Sequence, residues 1–236
     1  MSNCTPKPES PLIIGHRGAM GYETENTLAS IEKAMELGVD MIEIDVFRIQ
    51  TGEIAVFHDE RVERLANSGG RIEEYNFFDM KKLILDGGHR IPILQEVLKL
   101  VDHRVPLNIE LKGTGTAGPV QHIVSYYTAQ RGWAPDQFII SSFNWDELRA
   151  YRALDPEARI AVLVEGDPLE ALEVAAELKA EAINPHYTQV NAEKVARIHQ
   201  EGFKVYTWTV NDPADFQNLK AMGVDGVFSN FPDQMR

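Results

Sequence analysis

Apolar residues along this chain fall into short β-rich runs separated by stretches with helical spacing. Eight runs read as strands: PLIIGH, DMIEIDVF, VPLNIEL, QFIISSF, ARIAVLV, EAINPHY, FKVYTWTV and VDGVFSN. After the first comes ENTLASIEKAMELG, which puts Leu28, Ile31, Ala34, Met35 and Leu37 along one side, with Gly38 as a stop signal. ILQEVLKLV, VQHIVSYYTAQRG, WDELRAYRAL, PLEALEVAAELKA, AEKVARIHQEG and PADFQNLKAMG follow. Three of these end at Gly132, Gly202 and Gly223, as helix C-caps often do.

Strand and helix alternating in this way, with crossovers long enough for parallel pairing, predict an α/β protein built as a closed (β/α)8 TIM barrel. An open doubly wound sheet is the competing architecture, and the near-equal size of the units favours closure. Residues 53–90 interrupt the rhythm with an extra strand, EIAVFHD, and a polar excursion through NSGGR, a small insertion after the second strand. At the other end Arg236 follows the last strand too soon for a full eighth helix. No interdomain linker or low-complexity segment appears, so one domain over residues 1–236 is expected.

The second strand breaks its own pattern. Val39, Met41, Ile42, Ile44, Val46 and Phe47 suit a buried strand, but Asp40, Glu43 and Asp45 place carboxylates in it, and an unpaired buried carboxylate is very costly. Glu43 and Asp45 share a face, about 7 Å apart. Barrel enzymes keep their active sites at the C-terminal strand ends, and other polar residues gather there. His16 ends the first strand, Asn108, Glu110 and Lys112 alternate on the third, and His58 ends the extra strand.

Glu43, Asp45 and Glu110, from adjacent strands, would repel one another unless a cation lay between them. Carboxylate oxygens are hard donors, which points to one divalent ion, Mg²⁺ first and Ca²⁺ second. The ordinary alternative is a salt-bridge network with Arg17, Arg48 and Lys112. Glu110 and the two strand-end histidines shift the balance toward a metal site. His16 and His58 can exchange protons with a substrate near neutral pH. His89, His103, His122, His186 and His199 fall in loops or helical stretches and read as ordinary polar residues. Arg17 and Lys112 beside the acids imply a bound anion, for which phosphate is a natural guest. The set describes metal-assisted phosphoester hydrolysis.

Composition narrows the partners. A net charge of −13 leaves no basic surplus for nucleic acid or for an anionic membrane surface. The only cysteine, Cys4, rules out a disulfide framework, and the opening segment has no apolar core of a leader. A soluble cytoplasmic protein acting on a small molecule is expected; the oligomeric state stays open.

The motifs themselves are familiar. IIGHRGAMGYETENTLASIEKAMELGVDMIEIDVFRIQTGEIAVFHD resembles the opening of the glycerophosphodiester phosphodiesterase family, and the likeness continues through IPILQEVL, LNIELK, SSFN, VYTWTVND and GVDGVFSNFPD, nearly the whole chain. The resemblance implies a barrel with an insertion after the second strand and hydrolysis of glycerophosphodiesters to sn-glycerol 3-phosphate and an alcohol. It implies Glu43, Asp45 and Glu110 as metal ligands, His16 and His58 as the acid/base pair, Arg17 and Lys112 on phosphate, Glu25 in support, and Phe143 and Trp208 on the glycerol side. Ordinary barrel packing is the other reading of those two aromatics. A larger lipid such as a lysophospholipid, and a barrel that only binds a ligand, remain competing readings. The chain departs from the family pattern at Thr24, where proline is usual and the loop is expected to be less rigid. Gln95 replaces a frequent glutamate on what is expected to be an outer helix face. Ser229-Asn230 stands where many members have Thr-Asp, a change expected to bear on substrate preference.

Overall fold

A computed structural model describes residues 10–236; Cys4 and its neighbours lie outside the described residues. The strands form because near-continuous apolar runs are covered on both faces. In chain order the elements are β1 (Leu12–Gly15), α1 (Leu28–Glu36), β2 (Met41–Arg48), β3 (Ile54–Val56), α2 (Phe77–Met80), α3 (Leu94–Val101), β4 (Leu107–Leu111), α4 (Ala117–Gln130) and β5 (Phe138–Ser142). They continue with α5 (Trp145–Leu154), β6 (Arg159–Val164), α6 (Leu172–Glu177), β7 (Ala182–Pro185), α7 (Ala192–Gln200), β8 (Lys204–Thr207), α8 (Pro213–Met222) and β9 (Gly226–Ser229).

Eight of these strands close on themselves. Parallel pairing runs β1-β9-β8-β7-β6-β5-β4-β2 and returns through β1–β2, where Ile14 lies opposite Met41. That closure excludes the open sheet and gives the expected (β/α)8 barrel. β3 is the extra strand, antiparallel to β2 with Val46 opposite Val56. After β9 there is only a 3₁₀ turn, Pro232–Met235. The expected stop glycines, Gly132, Gly202 and Gly223, all have positive φ.

Side-chain alternation sorts each strand into an outer and an inner face. Ile42, Ile44 and Val46 point out, into the main apolar cluster beneath the helices. Met41 points in, joining Ile14, Ile139, Ala161, Ala182, Tyr206 and Phe228 in an apolar plug that fills the lower lumen. Two and four residues further along the same inner face come Glu43 and Asp45. On β4 that face carries Asn108 and Glu110, paired in register with Glu43 and Asp45. The lumen therefore turns from apolar to acidic as it nears its C-terminal mouth.

The insertion has a core of its own. Phe47, Ile49, Ala55, Phe57, Val62, Ile72, Met80, Leu83, Leu85 and Ile91 pack together apart from the main cluster. His58 thus stands on a packed platform rather than on a free loop. Among the described residues no helix is long and apolar enough to cross a membrane. Two expectations about departures need correction. Thr24 does not loosen its loop: its hydroxyl donates to Asp86 O of the insertion (2.8 Å), a bond proline cannot make. Gln95 is not on an outer face, because Tyr127 of α4 reaches over the first turn of α3 to Gln95 O (3.2 Å) and leaves the Gln95 Oε1 buried and unpartnered.

Candidate active site

The turn after β1 puts two side chains into the barrel mouth. The His16 N–H donates to Ser229 O (3.0 Å), extending the β1–β9 ladder past Gly15. The chain then reverses through Arg17 (φ +51°) and Gly18 (φ +85°). A Cβ on Gly18 would lie 2.5 Å from the Ser30 carbonyl carbon, so no other residue fits there. Arg17, a non-glycine residue, holds a left-handed backbone conformation, the kind of outlier that clusters at functional sites. Its N–H donates to Glu43 Oε2 (2.7 Å).

Glu43, Asp45 and Glu110 meet at this mouth, each offering an oxygen within 4.8 Å of the others. All three are buried. Asn26 clasps Asp45 from both sides, donating Nδ2 to Oδ2 (2.8 Å) and accepting the Asp45 N–H on Oδ1 (3.1 Å). Arg17 Nε lies 3.4 Å from Asp45 Oδ2, and Lys112 Nζ donates to Glu110 Oε1 (2.8 Å). The ordinary salt-bridge alternative is thus partly realised, through Arg17 and Lys112; Arg48 is exposed and joins no ion pair among the described residues. It leaves the acids undersupplied. Two cations serve three carboxylates, and Arg17 is shared with Glu25 (2.7 Å).

The undersupply shows at individual atoms. Glu43 Oε1 is buried with no hydrogen-bond partner. Burial, then the charges of Asp45 and Glu110, push the Glu43 carboxyl well above its usual range. Burial and the Asp45 charge push Glu110 up to about 7, against the pull of Lys112. Hard oxygens, an orphaned carboxylate atom and carboxyls pushed up by mutual repulsion fit a divalent cation. The residues present suit such an ion.

Two histidines flank the acids. His16 Nδ1 is 2.7 Å from Asn230 Oδ1 on the segment after β9. His58, just past β3, has Nδ1 2.6 Å from Asp59 Oδ1 and Nε2 3.3 Å from Lys112 Nζ. With Arg17 and Lys112 they border a cavity of about 110 Å³ that Glu43 and Glu110 also line. Phe143 and Trp208 form its opposite wall, edge to face at 5.4 Å, and Lys112 Nζ lies 5.8 Å from the Phe143 ring. His186, one of the remaining histidines, supports that wall by packing edge-on to Trp208 (4.9 Å). The loop after Lys112 is fixed from α5, where Glu147 accepts the N–H groups of Gly115, Thr116 and Ala117 (2.6, 3.0 and 2.8 Å). A larger cleft of about 340 Å³ lies outside the barrel between α4 and α5, away from every residue named here.

The glycerophosphoryl diester phosphodiesterase family model matches residues 16–234, nearly the whole described chain. The chain belongs to this family. It is an enzyme of that kind, and its relatives agree over full length. The glycerophosphodiester phosphodiesterase of Caldanaerobacter subterraneus is 32% identical over 95% of this chain and 96% of that protein. That of Bacillus subtilis is 31% identical over 96% of this chain and 85% of its own length. Among solved structures, a phosphodiesterase of Oleispira antarctica in complex with its product sn-glycerol 3-phosphate superposes with a TM-score of 0.88. It is 29% identical and covers 95% of both chains.

All ten residues singled out from the sequence gather at one mouth. Glu25 sits behind Arg17, Asp45 lies buried beside Glu43 and Glu110, and the other eight line the hollow. Four more were missed: Asn26, Asp59, Arg64 and Asn230. Asn26 and Asp59 stand inside motifs that were read for their neighbours. Arg64 and Asn230 reach the site from distant parts of the chain, where spacing gives no signal. Arg64, on a 3₁₀ turn of the insertion, donates to both oxygens of Glu25 (2.8 and 2.7 Å).

Proposed function

We propose that this enzyme hydrolyses small glycerophosphodiesters to sn-glycerol 3-phosphate and an alcohol, with a divalent cation held by Glu43, Asp45 and Glu110. One observation carries the reading: a single hollow brings together an acidic triad short of positive charge, two cationic side chains and two differently partnered imidazoles. When bound, the cation supplies electrophilic stabilisation of charge on the phosphoryl oxygens, and Mg²⁺ or Ca²⁺ suits the donor set.

The protein's own groups do the rest. Arg17 and Lys112 hold the phosphate electrostatically, a contribution that is commonly the largest in such sites. His16, held through Nδ1 by an amide oxygen, presents an unprotonated Nε2 and takes the proton of the attacking hydroxyl. His58, backed by the Asp59 carboxylate, returns a proton to the departing alkoxide. Phe143 and Trp208 shield the glycerol side from water. The attacking group is water, or it is the glycerol 2-hydroxyl, which expels the alcohol and leaves a cyclic phosphate that a water then opens; the overall products are the same.

The test is to incubate the purified protein with glycerophosphocholine and, separately, with lysophosphatidylcholine. Release of glycerol 3-phosphate from the first, lost on adding EDTA and restored by Mg²⁺ or Ca²⁺, is the expected result. Preference for the lysophospholipid moves the substrate to the larger lipid class. No product with either substrate and any of these ions overturns the proposal.

A further inference from the structure

Arg64 leaves 46% of its side chain open to solvent, yet its guanidinium is committed in three directions. Nη1 and Nη2 donate to Glu25 Oε2 and Oε1, and Nε donates to Asp59 Oδ2 (2.5 Å). Each acceptor has a second partner in the site. Glu25 Oε1 also takes Arg17 Nη1 (2.7 Å), and Asp59 Oδ1 holds His58 Nδ1 (2.6 Å). Contacts therefore run unbroken from His58 through Asp59, Arg64 and Glu25 to Arg17. Charges alternate along that path. Burial alone would raise the Glu25 and Asp59 carboxyls, but the guanidinium groups overcome it and hold both below their usual range.

We infer that Arg64 is a positioning residue for the hydrolysis: its planar fork sets His58 of the insertion at its working place opposite Arg17 of the barrel. The inference rests on the reaction proposed above. The insertion touches the loop after β1 elsewhere, through Thr24 to Asp86 O and through Glu23 near His89 (3.7 Å), but those links reach neither His58 nor Arg17. Arg64 is itself exposed, so truncating it takes little buried packing from the insertion. Glu25 is buried but keeps Arg17 Nη1 as a partner when Arg64 is removed, and the Arg64–Asp59 pair is partly exposed and contributes little to stability. Misplacing a reacting group by about 1 Å, in contrast, costs on the order of 100-fold in rate.

The experiment compares wild type, R64A, R64K and R61A in steady-state hydrolysis of glycerophosphocholine, with thermal melting of each. Arg61 is the control, a neighbour whose one ion pair among the described residues is with Glu63. The inference expects R64A to lose about 10- to 100-fold in kcat with KM nearly unchanged and melting within a few degrees of wild type. R64K should recover only part of the rate, because an ammonium lacks the fork. R61A should match wild type. A folded R64A with kcat within twofold of wild type overturns the inference, as does loss of rate only in proportion to loss of folded protein. If R64A does not fold, R64K decides: a loss of fivefold or more supports the role, and a wild-type kcat contradicts it. Wild type and R61A must turn over in the same assay; their inactivity would count against the proposed reaction itself.

Discussion

The two sides of the mouth use the same side chain differently. His16 grows from the barrel wall at the end of β1, and its Nδ1 meets an amide oxygen, Asn230 Oδ1. His58 stands on the insertion, and its Nδ1 meets a carboxylate, Asp59 Oδ1. An amide fixes which ring nitrogen carries the proton but adds no charge to favour the imidazolium. A carboxylate does both. The acidities follow. Burial, reinforced by Arg17, lowers His16 to about 4. Burial also lowers His58, assisted by Arg17 and Lys112, while Asp45 and Asp59 oppose the fall. In the mechanism proposed above, that difference suits His16, with its neutral partner, to the role of base and His58, with its charged partner, to that of acid.

The strongest way to break this comparison is to delete each ring. H16A and H58A should each lose about 10² to 10⁴ in kcat on glycerophosphocholine while melting like wild type. The comparison sharpens with a glycerophosphodiester bearing a 4-nitrophenyl leaving group, which departs without a proton. H58A should then recover most of its rate and H16A should not. Equal recovery, or recovery by H16A alone, would reverse or dissolve the assignment.

A smaller effect comes from exchanging the partners. N230D gives His16 a carboxylate neighbour that favours the imidazolium, so its pKa moves up and the acid limb of kcat/KM shifts to higher pH. D59N removes the carboxylate from His58, so the alkaline limb moves down. Rate at the optimum should fall by roughly 10-fold or less in either variant, the scale of an oriented partner rather than of the proton carrier itself. Limbs that stay in place would mean the partners orient without tuning.

The smallest effect concerns the seam between barrel and insertion. T24V removes the hydroxyl that reaches Asp86 O, and should cost about 0.5–1.5 kcal/mol with activity within twofold, read by urea unfolding and by the same assay. A loss of rate as large as that of H58A would show that the seam, not the ring's own partner, governs His58.

Most of the barrel is legible in the sequence, because parallel strands covered on both faces leave long apolar runs and their crossovers leave helical spacing. The acids are legible for a related reason: Glu43 and Asp45 violate a buried strand's rule, which marks them for a cation site or a salt-bridge network. The insertion's core is not, since Phe57, Val62, Ile72 and Met80 are irregularly spaced and meet only in three dimensions. Asn230 was noticed only as a departure from Thr-Asp and was connected to substrate preference. Its contact with His16 shows that the change also touches that imidazole. Arg64 left no trace, because an arginine in a polar excursion looks like any solvated charge until its three acceptors are seen together.

The central claim is that the three acids share a divalent cation, and calorimetric titration of chelator-treated protein with Mg²⁺ and Ca²⁺ tests it most directly. Glu110 titrates near 7 in the fold, against about 4.3 for an ordinary glutamate. The metal-free protein therefore draws stability from this group below the ordinary value and loses it as pH rises toward 7. Ion binding needs the ionised form, so affinity should rise with pH through the same window. The account predicts one ion per chain, proton release near pH 7 and loss of binding in E43Q. Absence of uptake at pH 8, or unchanged binding in E43Q, would contradict it.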